Sequence, residues 1–547
     1  MRVGLLLDDL IVPAWVAHIV NDIQASGFAR VEFAVRDAER PQRISRSRGL
    51  RPRLRNVLYD VYAWLEVAQW RRPGSPFQPC DLTSALGNAR LLHVAPVRDG
   101  DEQRISDADL QRIRAERPDV LLQFACEALR GEILSVPTYG VWSYHHGDGD
   151  AYRGEPALFW EIHDRDPVSG TELLRLGGEP AGDRVLYRSY GSTHPHSLEL
   201  NRQAACWKAS GFVMRCLREL AGSVTTTTTA PPKTSCAAIV RQTPGNVRMA
   251  QFLAHNVGHK ARALIRNRVA VEQWSIAWRR GARLDPGAPR LRDMRELACT
   301  RGHYYADPIL FRHADRDWLF LEDYDYARGK GDIVVVPWGT EGPTAAARRV
   351  LALPEHLSYP FVFEWEDQVY MMPQIGGAGG HVSLFRARRF PDDWGFVVDL
   401  LSGHRAVDAT LHAHNGRWYL FVNICEAGGS ANDELNLFDA ETPLGPFRPH
   451  PQNPIVSDAR RARPAGRLYV HDGRLIRPSQ DCAGDYGRAV VFNEVLELSP
   501  DRYLERTLGR LSPDWAKGLV GCHTYAALGD LEVVDCKRWQ SRWKVGA

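Results

Sequence analysis

Five phrases in the C-terminal half of this chain set a reactive or small residue ahead of alternating apolar positions. They are Asp307 in YADPILF, Tyr359 in SYPFVF, Asp408 in VDATLHAH, Ala465 in PAGRLYV and His523 in CHTYAAL. Two carboxyls, a phenol and an imidazole converging on one cavity are the groups that general acid–base chemistry uses. The same side chains also satisfy backbone donors where strands converge, so their types alone leave both uses open. Around the fourth phrase, Arg463, Arg467, Arg477, Gln480 and Asp481 set several donors beside carboxylates. Guanidinium forks match phosphate oxygens, which suits a phosphorylated or anionic sugar. The alternative use of these arginines is to brace neighbouring segments through buried ion pairs. A further cluster, His145, His146, Asp148 and Asp150 in YHHGDGD, is rich in groups that titrate or bind metal. Spacing this tight in a loop is a weak metal signal.

The elements that must position these residues differ between the two halves. Beyond Arg301 each phrase continues through a turn into a second alternating run, which is a hairpin pattern. It recurs about every 50–60 residues, the spacing of propeller blades. Five copies predict a five-bladed β-propeller over 301–547, with the leading residues of each innermost strand facing the central funnel. The first 200 residues alternate apolar runs (RVGLLL, ARVEFAV, ARLLHVA) with amphipathic ones (AWVAHIVNDIQAS, DADLQRIRAER). That alternation predicts an α/β domain over 1–220 built on a parallel sheet covered on both faces. The basic stretch RISRSRGLRPRLRNVLYD reads as a surface excursion, and GSVTTTTTAPPKTS as an exposed linker. Residues 221–300 are then a Thr/Pro-rich linker and helical connector, with a helix expected from Asn246 towards Trp278.

Composition narrows the function classes. Lys+Arg 69 against Asp+Glu 66 is too evenly balanced to argue for nucleic acid or an anionic membrane. The ten cysteines form no C-x-x-C pair, which disfavours a metal cluster and fits a reducing compartment. The first twenty residues carry Asp8 and Asp9 inside an apolar run, unlike a signal peptide. No run reaches the ~18 apolar residues of a membrane span. A cytoplasmic location is the expectation.

The segment YGVWSYHHGDGDAYRGEPALFWEIHDRDPVSGTELLRL resembles the folate-dependent formyltransferases over roughly residues 80–210. Those enzymes carry N-x-H, then R-G, then an L-D-x-G turn. Counting back from Arg153-Gly154, the resemblance puts the catalytic His on His145 and the Asn on Ser143. The Asp position falls on Pro180 or Ala181, with Glu179 and Asp183 the nearest carboxylates, so two of three catalytic positions have changed. The resemblance implies 10-formyltetrahydrofolate as donor, and Arg153 is a candidate substrate contact.

The propeller resembles the N-terminal region of plant glucosamine inositolphosphorylceramide transferases and bacterial relatives. YYADPILF, HLSYPFVFEWEDQVYMMPQ, LGPFRPHPQNPIVSD and RPSQDCAGDYG carry that likeness. Sugar transfer in the plant enzymes resembles the work of a separate domain. A more distant likeness is to five-bladed glycosidases of the arabinanase and β-xylosidase type. It implies Asp307 as general base and needs a second carboxyl, for which Asp408 and Glu494 come into question, with Glu322 behind them. Three functions follow as expectations. The first is a transferase-like enzyme acting on a sugar, amino sugar or glycolipid in bacterial surface-glycan assembly, with a nucleotide sugar or glycolipid as its small-molecule partner. Its site candidates are His145, Ser143, Asp183, Glu179, Asp307, Asp408 and His523 for catalysis. Arg153, Tyr359, Arg463, Arg477, Gln480 and Asp481 are the candidates for binding, and no metal ligand is assigned. The others are a hydrolase centred in the funnel and a non-catalytic glycan-binding scaffold.

Overall fold

The computed structural model describes residues 1–37, 55–95, 97–99, 102–125, 128–177, 182–222, 240–377, 380–425 and 429–546. The Thr/Pro run, most of the basic excursion and Glu179 lie outside the described residues. Two compact units emerge, one from Met1–Asn256 and the other from Val257–Glu426 with Ser430–Ala547.

In the first unit, seven strands form one sheet: β1 (Arg2–Leu7), β2 (Arg30–Asp37), β3 (Arg90–Val94), β4 (Val120–Gln123), β5 (Val141–His146), β6 (Val168–Arg175) and β7 (Arg184–Ser192). Their order is β7-β6-β5-β4-β1-β2-β3. The alternation in RVGLLL sends Val3, Leu5 and Leu7 into one core and Leu6 into another. The helix Ala14–Ala25 buries Trp15, Val16, Ile19, Val20 and Ile23 on the first face, and Leu110 and Ile113 of Asp107–Ala115 cover the second. The first five strands are parallel, as expected for a sheet covered on both faces. The sheet is mixed, however, because β6 and β7 add to it antiparallel. They form a hairpin, a connection that needs no crossover helix.

The second unit is a five-bladed β-propeller. Blades one to four are sequential sheets led by the strands His303–His313, Leu357–Trp365, Arg405–His414 and Tyr469–His471. Blade five is composite. Its inner strands Tyr525–Leu528 and Leu531–Ser541 come from the C-terminus, and its third strand, Ala270–Arg280, comes from ahead of blade one. Ala270 to Arg280 pairs residue by residue with Ser541 to Leu531, which closes the ring. The helix expected towards Trp278 therefore stops at Val269. In AVEQWSIAW the β-branched and aromatic residues are the ones that fit a half-buried strand.

Each of the first three inner strands is interrupted by a bulge at its leading residue, between Ala306 and Ile309, Ser358 and Phe361, and Val407 and Thr410. Asp307, Tyr359 and Asp408 occupy the left-handed region there, with φ of 52°, 44° and 54°. In blade four the equivalent turn falls on Gly466, where a Cβ would lie 2.2 Å from the Tyr525 carbonyl oxygen. A bulge re-aims a side chain out of the ladder, and here it turns the three leads towards the propeller axis.

Candidate functional site

The propeller leads meet one another. Asp307 Oδ2 accepts from Tyr359 N at 3.1 Å, and its Oδ1 accepts from Thr524 Oγ1 at 3.0 Å. Asp307 N donates to Asp535 Oδ2 at 3.1 Å. Asp408 N donates to Gln374 Oε1 at 3.1 Å. The Asp408 carboxylate takes Arg463 through Nε at 2.5 Å and Nη2 at 3.3 Å, and Gln480 Nε2 at 2.8 Å. Tyr359 Oη bonds Thr410 Oγ1 and accepts from Gly466 N, both at 2.8 Å. These bonds run between blades, so the leads stitch the five sheets around the axis.

His523 stands between two carboxylates, with Nε2 3.4 Å from Asp307 Oδ1 and Nδ1 2.5 Å from Asp535 Oδ2. Its ring stacks on Trp274 at 4.1 Å. Burial by itself would lower the imidazole pKa, but Asp535 and Asp307 outweigh it and raise the value. Asp307 is pushed up to about 6, chiefly by burial, with His523 opposing and Asp408 and Asp535 adding to the rise. The ligand atoms of the three groups lie within 4.8 Å of one another, close enough to hold a metal ion.

Arg477 and Asp481, expected to bind substrate, brace blade four. Arg477 donates to Glu505 from Nε at 2.7 Å and Nη2 at 2.8 Å, and Asp481 accepts from Arg510 Nε at 2.9 Å. Arg463 and Gln480 are spent on Asp408, while Glu494 pairs with Arg506 at 2.7 Å. Inverting hydrolysis needs a carboxylate free to activate water across the funnel from an acid. Asp307 and Asp408 both face protein donors instead.

The first unit offers a different arrangement. Ser143 and His145 point to one face of β5, and Tyr144 and His146 to the other. His145 lies at the carboxyl end of a parallel strand, the sheet edge where open α/β sheets bind ligands. Directly opposite it on β6 is Glu172, so their Cβ atoms are about 5 Å apart. Glu172 is buried and paired with Arg188 Nε at 2.6 Å, and Arg188 Nη1 also reaches Asp150 Oδ2 at 2.7 Å. Burial raises the Glu172 pKa, against the pull of Arg188 and His145. His145 Nε2 is 3.3 Å from the Tyr152 carbonyl oxygen.

Glu161, in the short helix Phe159–Asp164, is only 1% exposed, and neither of its oxygens meets a partner from another of the described residues. Its pKa is pushed up to about 7, first by burial and then by Asp166, Asp148 and Asp164. A Cβ at Gly147 would sit 3.1 Å from His145 Nε2 and 3.6 Å from Glu161 Oε1. The imidazole and the carboxyl thus close on the same glycine, which holds φ at +150°. A neutral-range carboxyl beside a histidine is the pairing that proton transfer requires.

Several expected residues lie elsewhere. Asp183 accepts from Gly177 N at 3.0 Å beyond Arg175 and Arg184, past the end of β6 and not opposite His145, whose partner there is Glu172. His146 packs with Tyr144 and 3.8 Å from Cys206 Sγ, and burial lowers its pKa to about 4. With Asp150 held by Arg188, the four residues of the YHHGDGD cluster do not converge on one ion. Arg153 Nε donates to the Gly149 carbonyl at 2.6 Å, fixing the loop. Sequence reasoning missed Glu172 and Glu161. The only signal was a carboxylate inside each of the apolar runs TELLRL and FWEI.

Comparison with known proteins bears on the propeller. Residues 293–518 match the family model for the N-terminal region of glucosamine inositolphosphorylceramide transferase 1. That match lies within the propeller unit. The protein of that name from Oryza sativa subsp. japonica is 37% identical over 208 residues, which are 37% of this chain and 28% of the rice protein. The Arabidopsis thaliana protein of the same name is 34% identical over 208 residues, covering 37% of this chain and 27% of its own length. The chain therefore spans little more than a quarter of these relatives. Among solved structures, a thermostable family-43 glycoside hydrolase is similar at 13% identity and a TM-score of 0.29, over 38% of this chain and 76% of its own. A glycinamide ribonucleotide transformylase 1 from Symbiobacterium toebii is similar at 14% identity and a TM-score of 0.28, over 41% and 88%. At these scores neither likeness carries an argument, and the propeller rests on its own sheet topology.

Proposed function

We propose that this protein is a group-transfer enzyme of glycoconjugate assembly, acting on a sugar, amino sugar or glycolipid. Acid–base chemistry belongs to the N-terminal unit and carbohydrate recognition to the propeller. The observation that carries this reading is a contrast between the two sites. The funnel leads Asp307 and Asp408 are committed to protein donors, whereas His145 and the unpartnered Glu161 close on one glycine at a ligand-binding sheet edge. The name shared by the plant relatives supports an amino sugar or glycolipid as the substrate class.

The donor favoured here is 10-formyltetrahydrofolate, which would supply a formyl group when bound. The buried oxygens of Glu161, unpartnered among the described residues, fit such a ligand, because they can accept N–H groups that no described residue provides. His145 takes the proton of an amine acceptor, and Glu172 opposite it stabilises the imidazolium that results. Ser143 offers a hydroxyl on the same face. The committed state of Asp307 and Asp408 favours recognition over hydrolysis as the propeller's part.

A thermal-shift panel on the full chain tests this, with a stable 10-formyltetrahydrofolate analogue, nucleotide amino sugars and inositol phosphates. A ligand at about 100 times its Kd stabilises the folded state by about 2.7 kcal/mol, a clear rise in Tm. The expected result is a rise with the folate analogue that His145→Ala abolishes, and formyl transfer to an amino sugar slowed at least ~100-fold by the same change. No response to folate, or one indifferent to His145→Ala, overturns the assignment.

A further inference from the structure

The helix Asn246–Val269 contains no acidic residue along its 24 positions and carries Arg248, Lys260, Arg262, Arg266 and Arg268. Its first half buries Met249 and Phe252. Its second half exposes its large apolar side chains: Val257 is 64% exposed, Leu264 67%, Ile265 64% and Val269 59%. At 3.6 residues per turn, Val257, Ala261, Leu264, Ile265 and Val269 share one broad face, with Arg268 among them. Lys260, Arg262 and Arg266 occupy the remainder. The Arg266 guanidinium lies 3.8 Å over the ring of Trp539, in the strand Leu531–Ser541, so the Arg266 edge is the one turned to the propeller, the apolar face points outward, and Lys260 and Arg262 flank it. Arg542 donates from Nε and Nη2 to the Asn267 carbonyl at 3.3 and 3.1 Å, which fastens the turn Arg542–Val545 to the helix end. That turn presents Trp543, 88% exposed, and Lys544.

We propose that this face is a docking surface for an anionic lipid bilayer. The helix lies in the plane of the interface, with Val257, Leu264, Ile265, Val269 and Trp543 entering the acyl boundary and Lys260, Arg262, Arg268 and Lys544 over the headgroups. Exposed aliphatic residues bordered by lysine and arginine are the make-up of interfacial helices, and tryptophan favours the headgroup level. Charge chooses this occupant over a second copy of the chain. Two such helices face to face would bring their cations together with no carboxylate to pair them. The proposal is independent of the transfer chemistry, since the lipid itself is the ligand.

Sedimentation of the full chain with vesicles tests it, using phosphatidylcholine alone and phosphatidylcholine with roughly one-third phosphatidylglycerol. The chain is expected to pellet with the anionic vesicles at low salt, at least about tenfold more strongly than with neutral ones, and to be released as salt shortens the screening length. Leu264→Ser with Ile265→Ser, and separately Lys260→Glu with Arg262→Glu, should each weaken binding about tenfold or more without moving Tm. The proposal falls if the wild-type chain stays in the supernatant with anionic vesicles, or if salt does not release it. It falls equally if folded variants bind as the wild type does. Sedimentation velocity adds a last outcome: a dimer that Leu264→Ser with Ile265→Ser converts to monomer would assign the face to a second copy and overturn the lipid reading.

Discussion

Asp408→Ala is expected to destabilise the propeller by about 3–5 kcal/mol. Asp408 is 2% exposed and carries a two-pronged bond from Arg463 as well as one from Gln480. Among the described residues, removing the carboxylate leaves the buried guanidinium Asn432 Oδ1 at 2.8 Å and the face of Tyr486 at 4.8 Å as partners. An uncompensated buried charge is far costlier than the net worth of the pair. Asp408→Asn keeps an acceptor for Gln480 and should fall between alanine and the wild type. Calorimetric unfolding of the full chain reads both values. A loss below about 1 kcal/mol for alanine would show that Asp408 is not a structural tie and would return it to the list of funnel catalysts.

Glu161→Gln is expected to stabilise the first unit at pH 8 by as much as about 3 kcal/mol, and to do nothing near pH 4. The folded carboxyl titrates at about 7 instead of the ordinary 4.5, because burial and neighbouring carboxylates penalise its charge. A group raised in the fold contributes its stability below the unfolded value and loses it as pH climbs through the folded one. Wild-type stability in this unit should therefore decline between about pH 4.5 and 7, and the Gln variant, which cannot ionise, should lack that decline. Melting curves across this range decide it. A wild-type profile that stays flat, or matches that of the variant, would mean that a partner compensates the ionised carboxyl. If Glu161 moves protons in the reaction, the same change also removes activity while raising Tm, the trade expected of a strained catalytic group.

Much of the fold was written locally. The five hairpin phrases predicted five blades because side-chain alternation records which face of a strand is buried, and burial of that face is common to every blade. Asp307, Tyr359 and Asp408 were legible as leading residues for the same reason, and each stands at a bulge at the start of an inner strand. Blade five was only half visible. Its third strand, Ala270–Arg280, is separated from its partner Leu531–Ser541 by the rest of the propeller, and no local pattern encodes a pairing over that distance. The helix before it was extended too far, because AVEQWSIAW is apolar enough to satisfy either period.

The site divided along the same line. By itself the sequence determined that acids, a tyrosine and a histidine would lead the inner strands of the propeller. Residue type and periodicity suffice for that. Only the tertiary structure decided what those groups would touch. Ring closure turned Asp307 and Asp408 into ties between blades, and the antiparallel register of β5 with β6 set Glu172, rather than Asp183, opposite His145. Folding of the Phe159–Asp164 helix against the Gly147 loop left Glu161 without a partner among the described residues. Hydrogen-bond partnership depends on distances between residues far apart in the chain, which alternation along a single strand cannot carry.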